Sequence, residues 1–151
     1  MPGIWLLEKN YNLSILIHFM TNFIKKYWIT IIVLVVIFYL SAAPASTFAK
    51  IPTFPNEDKL VHFLMYFGLA TSLFWEYIKS HGFFVINKKT TALLIIGIPV
   101  IWGGSMELYQ LFFTTTRSAE WMDEAANTLG ACTGYLVMRW LLTIYYSRKQ
   151  L

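Results

Sequence analysis

Ile29-Thr30-Ile31-Ile32-Val33-Leu34-Val35-Val36-Ile37-Phe38-Tyr39-Leu40 carries twelve residues without a charge, and its reading decides the fold. Extended outward it occupies residues 27–43, close to the ~20 apolar residues that cross ~30 Å of hydrocarbon. Three more apolar segments follow, at about 60–78, 90–113 and 122–146. In hydrocarbon an open chain satisfies its backbone only as a helix, so the four segments predict an all-α polytopic membrane protein with four transmembrane helices. Pro99, with Gly97, Gly103 and Gly104, interrupts the third segment and predicts a kink there.

Composition agrees. The 151 residues are 57% hydrophobic and 13% charged, against about 45–50% and about 25% for an ordinary soluble domain. The net charge of +4 does not predict nucleic-acid binding. Lys25, Lys26, Lys79, Lys88, Lys89, Arg148 and Lys149 flank apolar runs and build no basic stripe. With four spans all seven fall on one side, facing Lys50, Lys59 and Arg117. Both termini are therefore expected in the cytoplasm and the protein in the cytoplasmic (inner) membrane. The lone Cys132 excludes an internal disulfide and reads as a small packing residue.

The connections are too short for a second domain. Residues 1–26 form an N-terminal segment, 27–146 the membrane domain and 147–151 a basic tail. Met20 opens a natural start, so residues 1–19 read either as a short interfacial helix or as an artefact of start-site choice. Lys25-Lys26, the first apolar run and Ala43-Pro44-Ala45 together resemble a signal peptide. The run is longer than the ~7–15 residues such a peptide uses, so a retained helix is expected.

Against this background the ionisable residues in or at the ends of the spans are costly, and such residues are functional candidates. Asp58 and His62 are spaced i, i+4 at the outer end of the second span, with Tyr66 one turn deeper on the same face. Glu107 and Gln110 lie near the outer end of the third. Asp123 and Asn127 open the fourth, and Gly130 and Gly134 give that helix a small-xxx-small packing face. Arg117, in the link between the last two spans, suits a carboxylate or a phosphate. Plainer roles exist for most of them. Asp58 and Asp123 can serve helix N-termini, His62 can be a bonded structural group, and Asn127 can join two helices. Glu107 resists such a reading because it is too deep to cap a helix. Glu76 reads as interfacial and solvated, and Trp75, Trp102, Trp121 and Trp140 as interface or packing residues.

These residues resemble a known family. Asp58-Lys59-Leu60-Val61-His62-Phe63-Leu64-Met65-Tyr66-Phe67-Gly68-Leu69-Ala70 is similar to the DKxxHxxxYxxLA signature of VanZ-like membrane proteins. Gly104-Ser105-Met106-Glu107-Leu108-Tyr109-Gln110 resembles a GxxxExxQ stretch with the glycine one place closer. Arg117, Asp123, Asn127, Gly130 and Gly134 resemble R…DxxxNxxGxxxG. The outer loop departs from the pattern, with Thr114-Thr115-Thr116 before the arginine. The resemblance implies a small bacterial cell-envelope protein, mostly of four helices. The founding member is linked to modest resistance to glycopeptide antibiotics such as teicoplanin.

Two functional classes follow. One is a non-enzymatic envelope protein that binds membrane lipid, a lipid-linked envelope precursor or another membrane protein, without a cofactor. It is favoured because the sequence lacks a nucleophile motif, a P-loop and an HExxH motif. The other is a small membrane enzyme for a lipid-linked substrate. Asp58, His62, Glu107 and Asp123 would then hold a divalent metal or perform acid–base chemistry.

Overall fold

The computed structural model describes residues 3–44, 56–114 and 120–149, with side chains from Tyr11 onward. The described residues are helical apart from short connections: α1 Gly3–Lys26, α2 Trp28–Ala42, α3 Glu57–His81, α4 Lys89–Phe113 and α5 Trp121–Lys149, with a 3-10 turn at Phe83–Val85 between α3 and α4. Each of the four apolar segments is a helix. α4 continues through Pro99, which is buried.

Helices α2 to α5 form an up-down bundle. The α2 start lies against Glu76 near the end of α3, and the α2 end lies against Gln110 near the end of α4. α3 and α5 run parallel, as the pairing of His62 with Asn127 and Phe74 with Tyr135 requires. This is the most extensive helix contact, and glycine makes it possible. A Cβ on Gly130 would collide with the Phe63 carbonyl, and one on Gly134 would lie 2.7 Å from the Phe67 carbonyl oxygen. Small residues let two helix backbones touch in this way.

The core has two halves. Toward the basic end of the bundle, Phe74, Ile78, Val85, Ile86, Ile95, Tyr135 and Leu142 pack together. Toward the opposite end, Ile37 of α2 packs with Tyr66, Leu69 and Met106. The Thr91 hydroxyl donates to the Val85 carbonyl at 2.7 Å, tying the 3-10 turn to α4. Arg139 donates from α5 to the Asn87 side-chain oxygen at 2.9 Å, linking α5 to the connection before α4.

Glu76 departs from the sequence expectation. It is 3% exposed and caps α2 from another helix. Its carboxylate accepts the backbone N–H of Ile29 at 2.9 Å and that of Thr30 at 3.1 Å, and the Thr30 hydroxyl at 2.7 Å. The first turn of α2 has no side-chain cap of its own. Glu76 supplies the acceptor that its orphan donors need, and its charge complements the helix dipole.

The bundle turns an apolar surface outward. Val35, Val36, Leu64, Ile101, Leu108, Leu111, Phe112, Leu129 and Leu136 are among its exposed side chains. By length and composition α4 could cross a membrane. α1 from Tyr11 and α2 together meet the same criterion, though they bend by 79° where they join. α2 alone has 15 residues, and α3 and α5 carry the ionisable groups that lower their hydropathy.

Candidate functional site

The starts of α3 and α5 and the end of α4 meet at one end of the bundle, and the candidate residues gather there. Asn56, before α3, adopts the left-handed conformation at φ 63°, which asparagine tolerates better than most residues. Asp58 therefore lies within the first turn and is not the cap. Its partner is Lys59, whose ammonium lies 2.6 Å from Asp58, 2.5 Å from Glu120 and 2.8 Å from Asp123. Both residues lie outside the apolar span that begins at Leu60. The Asp123 carboxylate, then Asp58 and Glu120, hold the Lys59 ammonium well above the usual lysine range. The Lys59 hydrogen bond in turn holds the Asp58 carboxyl below its usual range.

One turn deeper, His62 Nδ1 lies 2.9 Å from Asn127 Oδ1, and Nε2 faces Asp123 Oδ2 at 3.6 Å. The Asn127 amide donates to Glu124 Oε2 at 3.0 Å. That bond orients the amide so that Oδ1 accepts from the imidazole, which assigns the Nδ1 proton. Asp123 and Asn127 are i, i+4 on α5, so one face of α5 meets His62 twice.

Glu107 arrives from α4. It is 7% exposed, and its Oε2 accepts the backbone N–H of Glu120 at 3.0 Å, just before α5 begins. It therefore does serve a helix start, contrary to the expectation from its depth, but the helix is α5 and not its own. Its other oxygen, Oε1, is buried and has no hydrogen-bond partner among the described residues, and the same holds for the Tyr66 hydroxyl. Gly103 brings α4 close enough for this. A Cβ there would lie 2.6 Å from Glu124 Oε2 and 2.8 Å from Asn127 Nδ2, whereas one on Gly104 would meet nothing. Gly103 also stands at the full GxxxE spacing from Glu107, so it and not Gly104 is the glycine the packing uses.

Asp58, His62, Glu107, Asp123 and Asn127 thus come together, with buried Tyr66 one turn below. Gln110 does not join them. Its amide donates to the Ser41 carbonyl at 3.1 Å and fastens α4 to α2. Arg117 lies outside the described residues. Lys59, Glu120 and Glu124 belong to the cluster although the sequence did not single them out as site residues. Lys59 was visible only as part of the DKxxH string, and Glu124 only as the i−3 neighbour of Asn127.

Two features give the cluster chemical scope. His62, Glu107 and Asp123 each offer a ligand atom, all within 4.8 Å of one another and all buried. Beside them, a cleft of about 440 Å³ opens between α4 and the start of α5. It is lined by Gly104, Glu107, Leu108, Leu111, Glu120, Trp121 and Glu124. Its walls are mostly apolar, and Leu108, Leu111 and Trp121 are exposed on the outside of the bundle.

The order of these residues along the chain, and the glycine packing beneath them, define a VanZ-type helical protein. The chain belongs to the VanZ/LLP1 family, whose profile matches residues 4–143. It is similar to an uncharacterized protein of Schizosaccharomyces pombe, with 32% identity over 123 residues. That match covers 82% of this chain and 65% of the relative. No solved structure matches the chain.

Proposed function

We propose that this protein is a multi-pass membrane protein with four spans, α2 to α5, and both termini in the cytoplasm. Its acidic end would bind the head group of a membrane lipid or lipid-linked envelope precursor at the outer face. The exposed apolar side chains on all four helices support the membrane reading, since a soluble monomer rarely exposes apolar patches beyond a few hundred Å². Lysines and arginines at the opposite end support the orientation.

The observation that carries the binding reading is Glu107. A carboxylate oxygen buried without a partner among the described residues is costly, and Glu107 lines a cleft whose walls are mostly apolar, with Glu120 and Glu124 at its polar end. Such a division suits an amphiphile: tail along Leu108, Leu111 and Trp121, head group toward Glu107. Arg117, in the link leading into α5, is the group we assign to an anionic part of that ligand. Family membership supports a role in the response to glycopeptides such as teicoplanin. The relative in a fungus favours a ligand found in membranes generally, which a lipid is.

The test is lipid analysis of the purified protein after exhaustive delipidation. Retention of about one lipid per chain by the native protein, lost in Glu107→Leu at equal folded yield, is the expected result. No retained lipid in either protein would overturn the reading.

A second reading, a metal-dependent membrane enzyme, has one specific observation in its favour: the His62, Glu107 and Asp123 triad. Two carboxylates and an imidazole suit a divalent transition metal, which would supply Lewis-acid activation of a phosphate or water. The ammonium of Lys59 on Asp123 already neutralises part of the charge a cation would meet, so the binding reading is preferred. Elemental analysis separates the two readings. A stoichiometric metal lost in His62→Ala would favour the enzyme, and its absence from protein purified without chelator would favour binding.

A further inference from the structure

The charges around the cleft specify more than an amphiphile. Glu107, Glu120 and Glu124 all line it, and Asp58 and Asp123 stand beside it. Among the described residues these five carboxylates face one ammonium, Lys59, and one imidazole, His62. Lys59 spends its three contacts on Asp58, Glu120 and Asp123, and none of them is on Glu107 or Glu124. Glu124 Oε2 has the Asn127 amide, a neutral donor. The cleft is therefore acidic at its polar end; among the described residues Lys59 reaches only Glu120 of its three glutamates, and beside Glu107 stands only the His62 imidazole. Glu107, which lines that end, has one buried oxygen, Oε1, without a donor among the described residues. A phosphate or carboxylate placed there would meet like charge, which is destabilising at close range. A sugar hydroxyl would satisfy the oxygen but leave the charge. A primary ammonium supplies both a proton and a positive charge.

From this geometry we infer that the cleft takes the primary ammonium of an aminophospholipid head group, with the Glu107 and Glu124 side chains that line it as the carboxylate partners. This deepens the lipid-binding reading and rests on it. The apolar mouth fixes the source of the amine. Leu108, Leu111 and Trp121 present more than half of their surface outside the bundle, so an acyl chain in the surrounding membrane continues directly into the cleft. A soluble amine would gain nothing from those walls. A choline head group carries the same charge but no N–H, so it cannot satisfy Glu107. Phosphatidylethanolamine and phosphatidylcholine therefore report on the hydrogen bond, and phosphatidylglycerol reports on the charge.

The experiment uses the full chain in nanodiscs made from equal parts of these three lipids. The lipid that remains bound after transfer to mild detergent is counted by native mass spectrometry. Expected is an enrichment of phosphatidylethanolamine of about tenfold over phosphatidylcholine, the worth of one charge-assisted hydrogen bond. Glu107→Gln and Glu124→Gln, which keep size and one oxygen, should each reduce that ratio. Leu111→Trp, on the lipid-facing wall where folding is least affected, should lower occupancy without changing the ratio. Lipid retained with no preference, or with phosphatidylglycerol preferred, overturns the ammonium inference and leaves lipid binding standing. Preference that persists in both glutamate variants overturns the assigned site. No retained lipid overturns both this inference and the reading beneath it.

Discussion

Gly130→Ala would move the site without touching any of its side chains. In an open helix that change stabilises by about 1 kcal/mol. Here the new Cβ would stand 3.0 Å from the carbonyl carbon of Phe63 and 3.0 Å from the amide nitrogen of Phe67, and closer still to the Phe63 oxygen. Comfortable carbon contacts begin near ~3.5 Å, and the obstructing atoms are backbone. α3 and α5 must therefore separate by about 1 Å. Overpacking of this kind costs about 1–3 kcal/mol. The separation also stretches the 2.9 Å contact between His62 and Asn127 beyond hydrogen-bonding range, a further loss of about 1 kcal/mol. After the propensity gain, net destabilisation is about 1–3 kcal/mol, and each kcal/mol lowers the melting temperature by about 2–4 °C at this size. Thermal unfolding in detergent, followed by tryptophan fluorescence, measures it. Gly68→Ala on α3 is the control, since a Cβ there meets nothing within 4 Å and should leave stability unchanged or raised. If Gly130→Ala were as stable as Gly68→Ala, the close parallel packing of α3 on α5 would be wrong.

Other measurements probe the remaining contacts. Glu76→Leu leaves two backbone N–H groups and the Thr30 hydroxyl without an acceptor, and should cost about 2–4 kcal/mol in the same assay. A double-mutant cycle of His62→Ala and Asn127→Ala should return a coupling of about 0.5–1.5 kcal/mol, because the two share one hydrogen bond; additive losses would deny that bond. The lowered Asp58 carboxyl contributes stability that is present above its ordinary range near ~4 and lost as pH falls through the depressed value. Asp58 is about half exposed, so that contribution is only a fraction of a kcal/mol. The raised Lys59 contributes stability that is complete below its ordinary ~10.4. The contribution of this Asp58–Lys59 pair should accordingly be constant between about pH 5 and pH 9 and be lost on the acid side, so the melting temperature of Lys59→Met should show a smaller acid limb than that of the native protein. In a host whose glycopeptide tolerance depends on this protein, Glu107→Gln should lower tolerance at unchanged membrane abundance, as read by growth inhibition and immunoblot.

Much of this architecture was legible in the chain because hydrophobic runs and their polar punctuation are local properties. The segment at 122–146 became α5 over Trp121–Lys149, and the small-residue face at Gly130 and Gly134 became the α3 contact. The i, i+4 pairs also held together, since periodicity alone puts Asp123 and Asn127 on one face. Contacts set by a different helix were not legible. Gln110 is three residues from Glu107, which turns it about 60° around the helix, and that angle is the difference between the acidic cluster and α2. Glu76 looked solvated because its position near the end of an apolar run says nothing of the α2 N-terminus that arrives opposite. Lys59 was overshadowed by its neighbours in the motif, although its reach across to α5 is what gathers three carboxylates.

Glu76 and Glu107 share a design at opposite ends of the molecule. Each grips main-chain donors at the beginning of a helix other than its own. Apolar faces slide past one another with little penalty, so greasy packing alone leaves the lengthwise alignment of such helices weakly defined. These two pegs prevent that slippage: one fixes how far α2 stands along α3, the other how far α5 stands along α4. Because main-chain atoms receive them, the alignment itself does not depend on which side chains stand at 29 and 120.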